Sequence, residues 1–130
     1  MTDLASSLAQ AAAGMHAQAT RLRHVSENIA NADTPGYRRK LVAFEQLHGF
    51  AGNDATVSVG PVRQDQRPLP LINDPGHPLA GEDGYYEGSN VDLVIEIADA
   101  REARRSYEAN LKIFDQTRQM TSSLLELLRR

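Results

Sequence analysis

Apolar residues recur along the first thirty positions of the chain at the spacing of one helical face. Successive members of this series lie three, four or seven residues apart, and Gln18 occupies the one vacant position. Such spacing predicts an amphipathic helix with a heptad-like stripe. The stripe consists of Leu4, Leu8, Ala11, Met15, Leu22, Val25 and Ile29.

The two ends of this helix carry their own signals. Asp3 is placed to cap the first turn, because its carboxylate can accept hydrogen bonds from free backbone amides. Thr34 precedes Pro35, and a following proline disfavours helical backbone. The helix should therefore end near Asn31, and Gly36 then allows a turn.

A second apolar stripe runs from about Val91 to the C-terminus. Asn90 or Asp92 can cap its start. Arg104 and Arg118 fall on the stripe, where their aliphatic stems can lie along apolar surface. The pattern predicts a second long helix, with a stripe of Leu93, Ile97, Ala100, Tyr107, Leu111, Phe114, Thr121, Leu125 and Leu128.

Residues 37–90 separate the two helices and hold most of the glycine and proline. Two short strand pieces are predicted at 56–59 and 61–63, on either side of a glycine. Residues 67–72 should be extended at a sheet edge, because each proline removes a ladder donor. Residues 74–78 have turn chemistry. This middle segment is predicted to be irregular, with a β-hairpin or two.

The lengths of the two helices dominate the predicted architecture. At ~1.5 Å per residue they span on the order of 45 Å and 55 Å, which is more than the middle segment can cover. We predict a mainly α fold in which the two helices form an antiparallel, coiled-coil-like pair. The parts 1–36, 37–90 and 91–130 together make one domain. Neighbouring chains are expected to cover the remaining apolar surface, and an intramolecular helical bundle is the alternative.

Composition and charge narrow the possible functions of the 130-residue chain. Aromatic residues make up only 5% of it and tryptophan is absent, so leucine, isoleucine, valine and alanine must supply the core. The formal net charge of −3 argues against a nucleic-acid-binding protein. The absence of cysteine excludes disulfides and thiolate metal sites. No apolar run approaches the ~20 residues of a membrane span, and residues 1–4 do not resemble the start of a cleaved signal peptide.

The candidate chemical groups do not form a recognisable reactive site. His16 and His24 are eight residues apart, too far for a helical metal pair, and we predict both to be solvated. Glu82, Asp83 and Glu87 cluster near two tyrosines, but a catalytic pair needs a pocket that separates its pKa values. Basic residues of the second helix alternate with acids, which favours a solvated or intersubunit ion-pair face. No enzyme activity, cofactor, metal or small-molecule substrate is expected.

The strongest local signal is the end of the first helix with its sharp exit. Ten contiguous residues there resemble the N-terminal motif of the flagellar rod and hook axial proteins. They are Asn28, Ile29, Ala30, Asn31, Ala32, Asp33, Thr34, Pro35, Gly36 and Tyr37.

Further segments resemble the short, proximal-rod type of this family, rod protein C. The resemblance covers nearly the whole chain and is weakest between residues 51 and 66. Ser89 departs from it, since the family often has proline there. The matching segments are 74–80, 83–85, 90–92 and 104–110.

The resemblance implies a structural subunit of the proximal rod of the bacterial flagellar basal body. Such a subunit polymerises helically through its terminal helices and helps form the drive shaft and the wall of the export channel. Its partners would be other copies, other rod proteins and the flagellar type III export apparatus. It would lie in the periplasm-spanning rod, exported without a cleaved signal peptide, and the free monomer would be poorly ordered.

The same resemblance gives roles to two sets of residues. The assembly seam would be Leu4, Leu8, Met15, Leu22, Val25, Ile29, Leu93, Ile97, Tyr107, Leu111, Phe114, Leu125 and Leu128. A loop contact at a subunit boundary would involve Asp74, Pro75, Gly76, His77 and Pro78. The alternative function is a soluble helical adaptor that binds one partner through its exposed apolar stripes.

Overall fold

A computed structural model describes residues 2–48 and 55–130 as a helix, four strands and a second helix. This order confirms the predicted mainly α fold with a small antiparallel middle region. The elements are α1 Thr2–Ala30, β1 Lys40–His48, β2 Ala55–Gln64, β3 Leu71–Asn73, β4 Tyr85–Glu87 and α2 Leu93–Leu128.

The ends of α1 follow from local hydrogen bonding. The helix begins at Thr2, so Asp3 lies within the first turn and does not form the predicted cap. A carboxylate in that turn still interacts favourably with the helix dipole. At the other end the Asn31 side-chain amide donates to the Glu27 carbonyl at 2.8 Å. Gly36, with a φ of 74°, then turns the chain away from the helix.

The start of α2 is fixed by Asp92, one of the two predicted caps. Asp92 has extended backbone, and its carboxylate accepts from the Val94 amide at 3.0 Å. From there α2 runs for 36 residues, about 54 Å at ~1.5 Å per residue. Neither α1 nor α2, over the residues described, is apolar enough to cross a membrane.

The two helices pack antiparallel. Asn28 near the end of α1 contacts Glu96 near the start of α2, whereas Gly14 lies against the Asn110 side chain. In both pairs the residue numbers add to 124, which places the start of α1 opposite about position 122. The last part of α2 therefore extends beyond α1. We call residues 123–130 the C-terminal overhang.

The face of α2 that packs on α1 coincides only in part with the predicted stripe. Its buried positions are Glu96, Ala103 and Thr117, which follow heptad spacing. Part of the predicted stripe, Ala100, Tyr107, Phe114 and Thr121, is half-buried beside them, whereas Leu93, Ile97, Leu111, Leu125 and Leu128 are exposed. The helices meet through small and polar side chains because these permit close approach. Within the described residues the buried apolar core comprises only Ala11, Ala17, Val25 and Ala103.

β1 and β2 form an antiparallel hairpin that packs against α1. The pairing starts at Lys40 with Gln64 and shifts at a bulge between Val42 and Phe44. Gly60 faces this bulge, where an added Cβ would lie 2.7 Å from a carboxylate oxygen of Glu45. The two predicted strand pieces on either side of this glycine are thus one continuous strand, and β1 was not predicted.

β3 and β4 form a second, shorter antiparallel ladder, in which Leu71 pairs with Glu87 and Asn73 with Tyr85. β3 confirms the extended prediction only at Leu71 and Ile72, because the prolines before it lie outside the ladder. The Gly88 amide donates to the Pro70 carbonyl at 2.8 Å. This bond fixes the ladder beside the chain that leads into α2.

Candidate assembly site

Asn28 joins α1, β1 and α2 through its side chain. Its Oδ1 accepts from the Tyr37 hydroxyl and from the Lys40 amide, both at 2.9 Å. Its Nδ2 donates to the Lys40 carbonyl at 3.0 Å and to Glu96 Oε2 at 3.3 Å. The side chain is 1% exposed, so it satisfies four polar groups away from water. Burial raises the pKa of the Tyr37 phenol above its ordinary value.

A chain of charged groups continues from Asn28 across the helix pair. Glu96 is fully buried and forms an ion pair with Arg39 Nε. Arg39 also reaches Asp99 at 2.8 Å, and Asp99 lies 3.4 Å from the guanidinium of Arg21. A buried carboxylate is tolerated only when a cation and hydrogen-bond donors compensate its lost hydration. Arg39 and Asn28 supply that compensation to Glu96.

A second ion pair anchors the start of β1 to α1. Lys40 Nζ lies 2.7 Å from Glu27 Oε2. Their hydrogen bond lowers the pKa of the Glu27 carboxyl and raises the pKa of the Lys40 ammonium. Both side chains are more than a third exposed, so this pair contributes little stability compared with the buried one.

The prediction that His24 is a solvated surface residue is wrong. Its ring is buried and lines a cavity of about 220 Å³ together with β1 side chains such as Phe44. Neither ring nitrogen has a hydrogen-bond partner within the described residues, and Glu27 Oε2 approaches Nδ1 only to 3.5 Å. The burial results from the hairpin, which covers this side of α1. His16 is exposed, as predicted.

Ser89 and Asn90 attach the middle segment to the helix ends. The Ser89 hydroxyl donates to the Ala32 carbonyl, just beyond α1. Asn90 Oδ1 accepts from the Arg39 amide at 2.6 Å, and its Nδ2 donates to the Asp65 carbonyl at 3.0 Å. These bonds hold four chain segments together immediately before α2. Asn90 thus has a cross-linking role, while Asp92 caps the helix.

Asp65 belongs to the same junction, where β2 ends. Its amide donates to the Arg39 carbonyl at 2.8 Å. Its buried carboxylate accepts from the backbone amide of Arg67, and this bond lowers the pKa of the Asp65 carboxyl. The Arg67 guanidinium adds an ion pair at 2.8 Å. The backbone and side chain of Asp65 therefore stabilise the turn that follows β2.

The predicted contact loop, residues 74–78, has a defined conformation. The Asp74 amide donates to the Gly84 carbonyl at 2.9 Å, and the Asp74 carbonyl accepts from the His77 amide at 3.0 Å. The His77 ring stacks on Tyr86 with a centroid distance of 3.9 Å. Pro75 packs so close to Gly84 that a Cβ there would lie 3.0 Å away. Its contact with a neighbouring subunit stays a prediction.

The predicted assembly-seam residues are unevenly covered within one chain. Val25 is buried, and several others are half-buried: Leu4, Leu8, Met15, Leu22, Tyr107 and Phe114. Six more are between 37% and 77% exposed: Ile29, Leu93, Ile97, Leu111, Leu125 and Leu128. The helix pair thus leaves a row of large aliphatic groups beside the contact of small residues.

The sequence located the motif but not most of its partners. Arg39, Glu96, Asp99 and Asn90 were not assigned to it. Glu96 accepts directly from Asn28 and pairs with Arg39. Asp99 and Asn90 in turn accept hydrogen bonds from Arg39. One available signal was the heptad spacing of Glu96 and Ala103, one position before the apolar stripe. A polar residue in that register indicates a buried partner on the facing helix.

Comparison with known proteins gives consistent matches over this architecture. Residues 8–38 match the family described as flagella basal body rod protein. Residues 82–127 match the family described as flagellar basal body rod FlgEFG protein C-terminal. The two matches contain the ends of α1 and α2 that meet at Asn28.

Similar curated proteins span almost the entire chain. The flagellar basal-body rod protein FlgC of Agrobacterium fabrum is 42% identical, with 99% of this chain and 98% of that protein covered. The FlgC proteins of Salmonella typhimurium and Aquifex aeolicus are each 34% identical. They cover 90% and 97% of this chain, and 92% and 98% of their own lengths. Identity at this level over full length establishes common descent, and the chain belongs to the FlgC family of flagellar basal-body rod proteins.

Proposed function

We propose that this chain is a structural subunit of the proximal rod and polymerises helically through its two terminal helices. The observation that carries the proposal is the row of exposed aliphatic side chains beside the helix contact. The relatives are named as rod proteins, and nothing in the comparisons supports a soluble adaptor instead. In the rod, the helices would contribute to the drive shaft and to the wall of the export channel.

Burial of that row in an assembly would supply substantial free energy. The six exposed seam residues together leave an area equal to about three whole residues uncovered. Full burial of one large aliphatic side chain contributes ~1.5–3 kcal/mol, so covering this area contributes roughly 4–9 kcal/mol. That is comparable with the whole stability of a small domain, ~5–15 kcal/mol. Assembly and folding of this chain would therefore be strongly coupled.

The same energetics support a marginally stable free monomer. The buried apolar core is four small residues within the described chain, and an amphipathic helix gains most of its stability from packing. We expect the purified chain at low concentration to show weak helical circular dichroism and no cooperative thermal transition. A fully helical monomer with a sharp transition would contradict this part of the proposal.

Partners and location follow from the proposed role. The chain would contact further copies and other rod proteins, reach them through the flagellar export apparatus, and lie where the rod crosses the periplasm. We propose no catalytic function, because the buried charges around Asn28 are engaged in holding the helix ends together.

Deletion of the gene in its host, followed by complementation, tests the proposal. The deletion strain should lack complete basal bodies and should not swim, and the wild-type gene should restore both. A deletion strain that assembles flagella would refute the proposal.

A matched pair of point variants tests the seam itself. Leu111→Glu places a charge on the exposed stripe of α2 and should abolish swimming. Lys112→Glu changes charge one residue away, off the stripe, and should swim. Immunoblots of both variants in whole cells and in purified basal bodies separate failed assembly from degradation. Equal motility of the two variants would exclude the stripe as an assembly surface.

A further inference from the structure

We propose that the cavity beside His24 is a binding site for a phenol group, which a neighbouring rod subunit supplies as a tyrosine side chain. The inference rests on the proposed assembly function and adds one defined contact to it. Its basis is a buried histidine at the wall of an open cavity, whose ring nitrogens have no hydrogen-bond partner within the described residues.

One side of the cavity is apolar. It is formed by Leu41, Val42 and Phe44 of β1 and by Val25 of α1. Leu41 and Phe44 are each 38% exposed, so the cavity opens to the surface between apolar side chains. An apolar cavity of about 150 Å³ is large enough to hold benzene. The cavity here, with a volume of about 220 Å³, therefore admits one aromatic ring with a polar substituent.

The other side of the cavity is charged, but each of its charged groups already has a partner of opposite sign. The pairs are Arg39 with Glu96 and Asp99, Arg21 with Asp99, and Lys40 with Glu27. An ion that entered the cavity would lose its hydration without gaining an unpaired counter-charge, which is unfavourable. The site therefore favours a neutral group.

His24 supplies the polar contact for such a group. Its side chain is only 9% exposed, and the nearby Glu27 carboxylate is already bonded to Lys40 at 2.7 Å. A neutral imidazole has one donor and one acceptor, and leaving them unsatisfied in a buried position destabilises the fold. A hydroxyl can donate to one ring nitrogen or accept from the other, so it suits either tautomer.

A tyrosine side chain meets both requirements. Its ring can pack against Phe44 while its hydroxyl bonds to His24. Tyrosine is enriched in protein interfaces because it combines an apolar body with a polar tip. Serine or threonine would leave the apolar side uncovered. Water needs two to four polar partners, which the apolar side lacks.

The tyrosine must come from another subunit, because none of the four tyrosines of this chain lines the cavity. They are Tyr37, Tyr85, Tyr86 and Tyr107. The cavity also adjoins the proposed assembly surface. Leu93 and Ile97, two seam residues that are each 46% exposed, lie within one helical turn of the lining residue Glu96. A neighbour that covers these residues is placed to insert a side chain beside them.

Binding of a free phenol to the purified chain tests the chemistry of the site. The full chain is kept folded in trimethylamine N-oxide, and p-cresol is titrated while the NMR signals of the cavity side chains are followed. Toluene, which lacks the hydroxyl, should bind roughly tenfold more weakly. His24→Phe should make the two affinities equal. His16→Phe is the matched control, because His16 is exposed on the same helix, and it should preserve the difference.

Filling the cavity tests whether assembly uses it. Val42→Phe extends a ring into the cavity, so it should raise the urea midpoint of unfolding yet reduce incorporation into basal bodies roughly tenfold. The matched control is Val62→Phe. Val62 lies opposite Val42 in the ladder but is 45% exposed and does not line the cavity, so this variant should be incorporated normally.

A photo-reactive side chain identifies the source of the phenol. p-Benzoylphenylalanine replaces Leu41 at the mouth of the cavity, and purified basal bodies are illuminated and analysed by mass spectrometry. We expect a cross-link to a tyrosine-containing peptide of a neighbouring rod subunit. Equal affinities of the wild-type chain for p-cresol and toluene would overturn the inference. A chain that binds p-cresol but cross-links only to peptides without tyrosine would also overturn it.

The cavity-filling variant decides the remaining cases. If the cross-linking variant is not incorporated, or the free chain does not fold, incorporation of Val42→Phe at the wild-type level overturns the inference. Its loss, with Val62→Phe incorporated normally, supports the inference. Absence of the wild-type chain from basal bodies would instead refute the proposed function.

Discussion

Replacing Asn28 by alanine removes four hydrogen bonds from the junction of α1, β1 and α2. Each such bond contributes ~1 kcal/mol net to stability. The Lys40 amide and carbonyl can replace part of their lost hydrogen bonding with bonds to water, since that residue is half-buried. Glu96 cannot, because it is fully buried and keeps only Arg39. We expect Asn28→Ala to lower the free energy of unfolding by about 3–4 kcal/mol.

The assay is urea unfolding of the full chain followed by circular dichroism. It is performed in a fixed concentration of trimethylamine N-oxide, which stabilises the folded state of a marginal protein. Asn31→Ala is the matched control, because it is the same substitution three residues later. Asn31 is only half-buried and makes one bond to Glu27 and one to Thr34, so its loss should cost about 1 kcal/mol. Equal losses for both variants would refute the central role of Asn28.

The variant Asn28→Asp separates the acceptor bonds from the donor bonds. Aspartate keeps an oxygen for Tyr37 and Lys40, but it replaces the donor to Glu96 by a second carboxylate at about the same position. Two ionised carboxylates so close together repel each other, and this repulsion raises the free energy of the folded state. We expect a strongly destabilised protein at neutral pH that recovers on mild acidification, when one carboxyl binds a proton and donates to the other.

Three further predictions concern other parts of the fold. Gly84→Ala should destabilise by about 2 kcal/mol and speed amide exchange in the loop, because φ is +81° and the new Cβ lies 3.0 Å from Pro75. Gly14→Ala should destabilise because its Cβ lies 2.8 Å from the Asn110 amide, but in an Asn110→Ala background it should stabilise by ~1 kcal/mol through helix propensity. Glu27 has a lowered pKa in the folded chain, so it stabilises the fold above its ordinary pKa of 4.5 and loses this effect as pH falls through the lowered value. In the Glu27→Gln variant the urea midpoint of unfolding should therefore fall less steeply as the pH is lowered than it does in the wild-type chain.

Each of these predictions has a control on the same chain. Gly76→Ala places its Cβ 3.6 Å from the nearest atom and needs no positive φ, so it should change stability little. If it matches Gly84→Ala, the backbone argument fails. A destabilising Gly14→Ala in the Asn110→Ala background would mean that another contact controls helix separation. Glu126→Gln, on the exposed overhang, should leave the acid response unchanged.

The sequence predicted the two helices because their apolar periodicity extends over many turns. It also predicted the end of α1, because Pro35 acts locally and needs no tertiary contact. The face on which the helices meet could not be found in the same way. Glu96, Ala103 and Thr117 are small or polar, so hydrophobic periodicity does not select them. It finds part of the contact face, such as Tyr107 and Phe114, together with a row of residues that the structure leaves exposed.

The residues missed in the middle segment depend on contacts distant in sequence. β1 becomes a strand through β2, and the bulge beside Phe44 breaks the simple alternation of its side chains. The burial of His24 depends in turn on that hairpin lying over α1. Arg39 could be assigned a partner only once α2 was known to place Glu96 beside it. Local patterns therefore located the motif, while its chemistry required the tertiary arrangement.

The bonds of Asn28 also imply an order of folding. Two of its partners, Tyr37 and Lys40, are nine and twelve residues along the chain, whereas Glu96 is 68 residues away. Closing a short loop costs less entropy than closing a long one. The corner between α1 and β1 should thus act as a folding nucleus that forms first, with Asn28 already holding Lys40. α2 then docks late, and its Glu96 leaves water only when Arg39 is in place to receive it.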